Sequence, residues 1–244
     1  MKTYVINLEG STDRLAHMTC QLESAGISFE RFSAIDGSQL ARPAGSTLTP
    51  GELGCIASHR AIWMRAARDG NEWTAVLEDD VFVAPELADL FKALDEGCSL
   101  DAGILKFETN RARIYLGRTC GRIGTFDLRP IRSKHGGTAG YAIRQETAAW
   151  LVKETENFGK PLDFIFSPNV MPKLRALQVL PAPVIQAQCY NGTIPSVIGT
   201  SSVATAWEKP AGLAKLKAQC VKPMHQLIRL LKRESRLSVP FSQG

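Results

Sequence analysis

The stretch AVLEDDVFVA, Ala75 to Ala84, sets three carboxylates directly behind an apolar run. Adjacent negative charges repel one another and call for water or a cation. Thr74 to Leu77 lacks polar alternation, the pattern of a parallel strand buried on both faces. Glu78, Asp79 and Asp80 then emerge at its carboxyl end, where open α/β sheets keep their ligand crevices. Side chains alternate along an extended segment, so Glu78 and Asp80 fall on one side, and a hard cation such as Mn²⁺ or Mg²⁺ suits their oxygens. The competing reading is that the three cap the next helix or face solvent.

Working outward, Thr3 to Leu8 reads as a first strand, Leu15 to Ala25 as a helix stopped by Gly26, and Ile27 to Ile35 as a second strand. The Gly-, Pro- and Ser-rich segment from Asp36 leads to a helix over Thr49 to Gly70, with Thr49 as its cap and Pro50 at its first position. Beyond the acidic triplet, Pro85 to Glu96 reads as a helix and Ala102 to Phe107 as a short strand. Arg111 to Lys134, with seven basic residues and three glycines, reads as a hairpin or mobile loop outside the core. His135 to Glu154 runs from a Gly-rich turn through a strand into a helix. Asp163 opens another apolar segment, and Leu177 to Ile185 is a last strand broken by prolines. Strand, helix, strand at the start argues for an α/β sheet.

Length and composition fit this. The 244 residues, 44% hydrophobic, suffice for one large domain, placed at 1–208, with a tail at 209–244. The tail holds eight Lys/Arg against one Glu, while the whole chain is only +5, so the preceding 208 residues are slightly acidic. Six scattered cysteines show neither zinc-type spacing nor a disulfide framework. No run reaches the length of a membrane span and the first residues do not read as a secretory signal, so a cytoplasmic chain is expected. In Lys222 to Leu237, Met224, Leu227, Ile228 and Leu231 share one helical face while Arg229, Lys232, Arg233 and Arg236 lie elsewhere. Such a helix either lies on an anionic membrane surface, peripheral to the inner membrane, or docks on the domain. Nucleic acid is not an expected partner, since no recognised motif or basic-aromatic pattern is present.

Taken in order, YVINLEGSTDR, LTPGELGCIASHRAIW, AVLEDDV, GTAGYAI and PLDFIF, between residues 3 and 166, resemble glycosyltransferase family 25, which includes bacterial lipooligosaccharide galactosyltransferases. The resemblance implies an A-type glycosyltransferase fold, a Rossmann-like and mostly parallel sheet flanked by helices, with a basic helical tail here. It implies a nucleotide-sugar donor, most simply UDP-galactose, a divalent metal, a lipopolysaccharide-type glycan as acceptor, and inversion at the transferred carbon. Asp80 is then the expected metal ligand with Glu78, and Glu78 and Asp79 reach the donor's ribose or stand behind the direct ligand. Asn7 and Leu8 approach the nucleoside, and Arg14 pairs with the diphosphate through its guanidinium fork. Ser58 and His59 lie in the related GC-x-x-SH motif and are read as donor-binding, against the alternative of a hydrogen-bonded structural histidine.

An inverting transfer needs a general base for the acceptor hydroxyl. Asp163 is the expected base, with a helix cap as its competing role and Glu108 or Asp127 as alternatives. Gly137 and Thr138, in the turn that begins at Gly136, offer a wall of little bulk for the acceptor sugar. A late metal ligand is missing from VIQAQCYNGTIPSVIG, where Gln186 and Gln188 are weak substitutes. Two rival functions are a metal-dependent phosphohydrolase or nucleotidyltransferase, and a catalytically silent glycan-binding protein.

Overall fold

Why the acidic triplet ends up at the rim of a cleft follows from how the strands around it pair. The computed structural model describes residues 1–43, 45–156, 159–190, 229 and 232–242. Its strands are β1 (Lys2–Asn7), β2 (Glu30–Ser33), β3 (Trp73–Glu78), β4 (Val81–Val83), β5 (Ile104–Lys106), β6 (Glu108–Thr109), β7 (Arg113–Leu116), β8 (Gly121–Ile123), β9 (Phe126–Pro130), β10 (Gly140–Arg144), β11 (Ala176–Leu180), β12 (Val184–Gln186) and β13 (Ser235–Ser238). The helices are α1 (Thr12–Ser24), α2 (Pro50–Ala66), α3 (Leu87–Asp95), α4 (Gln145–Glu154), α5 (Met171–Leu174) and α6 (Ala187–Tyr190), with 3₁₀ turns at Gly37–Gln39 and Leu162–Phe166.

Eight strands form one sheet in the order β2-β1-β3-β10-β5-β11-β9-β8. Strands β10 and β9 run against the other six. This is the helix-flanked, Rossmann-like sheet expected from the sequence, with one refinement. β3 is parallel to β1 on one side but antiparallel to β10 on the other. Both of its faces are buried all the same, which explains the unbroken apolar run. Successive side chains alternate between two cores: Tyr4, Ile6, Val76, Tyr141 and Ile143 pack with Ile56, Trp63 and Leu151 of α2 and α4. Val5, Ala75, Leu77 and Ala142 pack with Met18 and Leu22 of α1 and Leu90, Phe91 and Leu94 of α3.

Helix α2 begins where its sequence says it should. Thr49 Oγ1 accepts from the Glu52 amide at 3.2 Å, Glu52 Oε2 accepts from the Thr49 amide at 2.9 Å, and Pro50 follows the cap. This box fixes the register that aims Cys55, Ser58 and His59 at the end of β3.

Other expectations need correction. The second strand is only Glu30–Ser33, shorter than Ile27 to Ile35. The Arg111 to Lys134 segment does contain a hairpin, β8–β9, turning at Gly124 with φ +52°, but it is no mobile loop outside the core: β9 pairs with β11, and Ile114, Leu116, Ile123, Phe126, Leu128 and Ile131 are buried. The arginines between them face outward, and their number masked the alternation. Leu177 to Ile185 is two strands in two sheets, split at Pro181 and Pro183. The helix expected through Leu237 does not reach that residue, because β13 pairs antiparallel with β7. Val239 and Ser242 are buried beyond it, and Ala182 bridges Phe241. Arg236 therefore lies on a strand. Met224, Leu227, Ile228 and Leu231 lie outside the described residues.

Candidate active site

The carboxyl ends of β1 and β3, the start of α2 and the Ala34–Gly37 segment enclose a cleft of about 320 Å³, lined among others by Leu8, Arg14, Asp36, Cys55, Glu78 and Asp80. Its floor depends on two glycines. A Cβ on Gly37 would lie 1.8 Å from the Pro50 carbonyl oxygen, and one on Gly54 would lie 2.4 Å from that of Ile35, so backbone packs directly on backbone there. Ser58 ties the same layers: its hydroxyl accepts from the Ile35 amide at 2.9 Å and donates to the Gly54 carbonyl at 2.7 Å.

The three carboxylates have three different environments. Asp79 is fully engaged by protein, accepting from Asn7 Nδ2 at 2.7 Å and from Arg14 Nη1 at 3.0 Å. Asn7 also donates to the Ser11 carbonyl and accepts from Arg31 Nε, so both of its amide protons are taken within the protein. Glu78 Oε1 accepts from Thr138 Oγ1 at 2.8 Å and faces His59 Nε2 at 3.3 Å. Burial opposes the Glu78 charge, but His59, Thr138 and the field of Lys106 outweigh it and leave its pKa below the usual carboxylate value.

Asp80 is the exception. Its Oδ1 is buried with no hydrogen-bond partner among the described residues. Burial and then the neighbouring Glu78 push its pKa up to about 7, against the pull of Arg14. A carboxylate kept in that state lacks a cation or a donor.

Behind Glu78, the direction of the hydrogen bonds can be read. The Trp63 indole can only donate, so the Tyr141 oxygen accepts from it at 2.8 Å, and the same hydroxyl pairs with His59 Nδ1, also at 2.8 Å. An ionised Glu78 can only accept, so His59 Nε2 carries the proton that points at it. Cys55, His59 and Glu78 hold ligand atoms within 4.8 Å of one another, a set that could take a soft cation. The proton on Nε2 makes His59 a donor to Glu78 instead.

Across the sheet a second group of charges faces the same region. Asp163 lies in the first part of the 3₁₀ turn, whose cap position is Pro161; its Oδ1 accepts from the Gly137 amide at 3.1 Å. Burial raises its pKa, with Lys106 and that amide opposing. Glu108 Oε1 accepts from Lys106 Nζ at 2.5 Å and from the Ala139 amide at 3.0 Å, and Gln186 Nε2 lies 3.4 Å from Glu108 Oε2. Burial pushes Glu108 up to about 7 despite Lys106. Asp163 is partly exposed while Glu108 is sealed. Asp127 sits on β9 paired with Arg122, so the fold keeps it on the hairpin. Gln188 donates to Gln186 Oε1 at 3.1 Å, and the Ala187 amide between them donates to the Asp80 carbonyl at 2.9 Å. The sequence reading thus brought its main residues together, but it passed over Asp36, Cys55, Lys106 and Tyr141. The DG pair at Asp36–Gly37 and the repeated glycine in PGELG were the available signals for a tight cleft floor. Nothing local marks the other three.

Residues 1–166 match the family described as glycosyltransferase family 25 (LPS biosynthesis protein). The chain belongs to that family. Similar proteins include the lacto-N-neotetraose biosynthesis glycosyltransferases LgtE of Neisseria gonorrhoeae, 32% identical over 164 residues (60% of this chain, 58% of that protein), and LgtB of Neisseria meningitidis, 33% identical over 170 residues (62% and 59%). The lipooligosaccharide biosynthesis protein lex-1 of Haemophilus influenzae is 26% identical over 197 residues (64% and 65%). The chain thus spans about three fifths of the length of these relatives. Among solved structures, a glycosyltransferase involved in glycosylation of the major capsid of PBCV-1 aligns at a TM-score of 0.45 and 13% identity, covering 79% of this chain and 93% of that one. Among the described residues, no helix is long and apolar enough to cross a membrane.

Proposed function

We propose that this chain is a nucleotide-sugar glycosyltransferase that moves a hexose, galactose from UDP-galactose being the simplest choice, onto a hydroxyl of a lipooligosaccharide-type glycan with inversion. The observation that carries the reading is the half-buried Asp80 carboxylate just past the end of β3, whose Oδ1 has no hydrogen-bond partner among the described residues, beside an arginine and in the lining of a cleft. Family membership and the lipooligosaccharide role printed for lex-1 support the substrate class.

In this reading Asp80, with Glu78 beside it, holds Mn²⁺ or Mg²⁺, which suits hard oxygen donors. Bound there, the cation would offset the charge of the departing nucleoside diphosphate. Arg14 adds a positive charge on the same side and fixes Asp79. The cleft between Leu8 and Gly54 takes the nucleoside. His59, held by Tyr141, and Thr138 orient Glu78, so that its second oxygen faces the donor. Ser58 and Asn7 serve by bracing the floor and Asp79. Asp163 takes the proton of the acceptor hydroxyl at its carboxylate, and the Gly136–Gly137 turn leaves room for a sugar to approach it.

A panel of nucleotide sugars offered with a lactose-type or glucose-type acceptor tests the reading. UDP release in step with a new glycosidic bond, of inverted configuration by proton NMR, is the expected result. Release of sugar phosphate or pyrophosphate would replace transfer with the phosphohydrolase or nucleotidyltransferase alternative, and acceptor binding without turnover would leave a glycan-binding protein. We also infer that the 209–228 segment draws the chain to the anionic face of the inner membrane, through Lys209, Lys215, Lys217 and Lys222. Cosedimentation with anionic vesicles should fall when Lys215, Lys217 and Lys222 become Gln, and unchanged binding would exclude the idea.

A further inference from the structure

Lys106 is wholly buried in β5, and nothing in donor or metal binding accounts for it. Its ammonium donates to Glu108 Oε1 and to the Gly137 carbonyl, and lies 4.4 Å from the centre of the Phe166 ring. Gly137 is held through both sides of its backbone, since its amide donates to Asp163 Oδ1. Its φ is +91°, and a Cβ there would come within 2.9 Å of Glu108 Oε1 and 3.0 Å of Gln186 Nε2. Only glycine lets the turn lie this close to the ion pair. A buried ion pair seldom adds stability over an apolar pair of similar volume, so the fold alone does not ask for one here.

We propose that Lys106 is a positioning residue for Asp163: through the Gly137 peptide it holds that carboxylate in place, with its own positive charge on the far side of the same peptide. This rests on the proposed role of Asp163 as base. The charged and titratable groups around Asp163 are Lys106 from β5, Lys134 from the segment before the turn, Glu78 from β3, Glu108 from β6 and Cys55 from α2. Glu78 opposes the Asp163 charge, and Lys106 is the strongest influence favouring it. Taking Lys106 away therefore shifts Asp163 toward its protonated form. Glu108 can take a proton when its partner is lost, since burial already holds it near neutrality, so Lys106→Met is compatible with folding.

Carboxyl-carbon NMR titration of Asp163 in the full, metal-free chain decides the matter. In Lys106→Met the midpoint should rise by on the order of one pH unit. In Glu108→Gln, which breaks the same pair but keeps the cation, it should not rise. The acid limb of the turnover number should move upward in Lys106→Met with the donor KM unchanged. Should Lys106→Met fail to fold, Lys106→Met/Glu108→Gln removes both charges and should show the same rise. An unmoved midpoint in a folded Lys106 variant, or an equal rise in Glu108→Gln, overturns the proposal. Absence of turnover with every nucleotide sugar would instead count against Asp163 as base, while the NMR midpoint still decides what Lys106 does.

Discussion

Asp163→Asn keeps the size of the side chain and an oxygen for the Gly137 amide, but it cannot accept a proton. Turnover should drop by about 10²-fold or more, with little change in donor KM and in melting temperature. Steady-state kinetics on both substrates check this, and near-normal turnover would move the role to Glu108. The pH dependence follows from the same residue. Asp163 acts when ionised, and burial raises its pKa above the ordinary 3.8. Turnover should therefore fall as pH drops through that raised value, and the residual activity of the Asn variant should lack this limb. A second residue-scale prediction concerns Tyr141→Phe, which leaves the buried Trp63 N–H without an acceptor. It should cost about 1–3 kcal/mol in urea denaturation, and an unchanged midpoint would mean that water or another group replaces the hydroxyl. At this scale the acidic triplet was legible, because three adjacent charges after an apolar run have few uses. Lys106 and Tyr141 were not legible. Each sits in an ordinary strand pattern, and apart from the Glu108 partner of Lys106 the groups they bond come from 31 to 82 residues away.

Elements were legible where the signal is local. The Thr49 cap and Pro50 after it marked the start of α2, because a cap and its partners lie within three residues, as the Thr49–Glu52 box shows. The β7–β13 pair could not be read, since Arg236 and Tyr115 meet across more than a hundred residues and the basic side chains of both strands suggested solvent. That pairing changes what a truncation would do. A chain ending at Glu234 loses β13 and the buried Val239, whose carbonyl accepts from Thr109 Oγ1 at 2.8 Å. Ile114 and Leu116 then lose their cover on one side. A lower melting temperature is expected, with the extra loss of the Thr109 partner felt at β6, next to Lys106. Differential scanning calorimetry of the shortened chain checks this, and an unaltered melt would show that the last strand is dispensable.

For the whole molecule, the sheet brings the ends of β1 and β3 to one cleft and, through Thr138 on Glu78, sets the Gly136–Gly137 turn beside it, with Arg14 favouring the Asp80 charge and Lys106 the Glu108 and Asp163 charges. The α/β class and the place of the site at strand ends could be read from the order of elements. The depth of burial that pushes Asp80 and Glu108 to about 7 could not, because it comes from packing between layers. The central claim is that Asp80 holds a divalent cation on which donor binding depends. Calorimetric titration of UDP into the wild-type chain and into Asp80→Ala, each with and without Mn²⁺, tests it most directly. The account predicts that Mn²⁺ strengthens UDP binding at least tenfold in the wild type, about 1.4 kcal/mol, and has no effect in a folded Asp80→Ala. The same gain from Mn²⁺ in both proteins would contradict it.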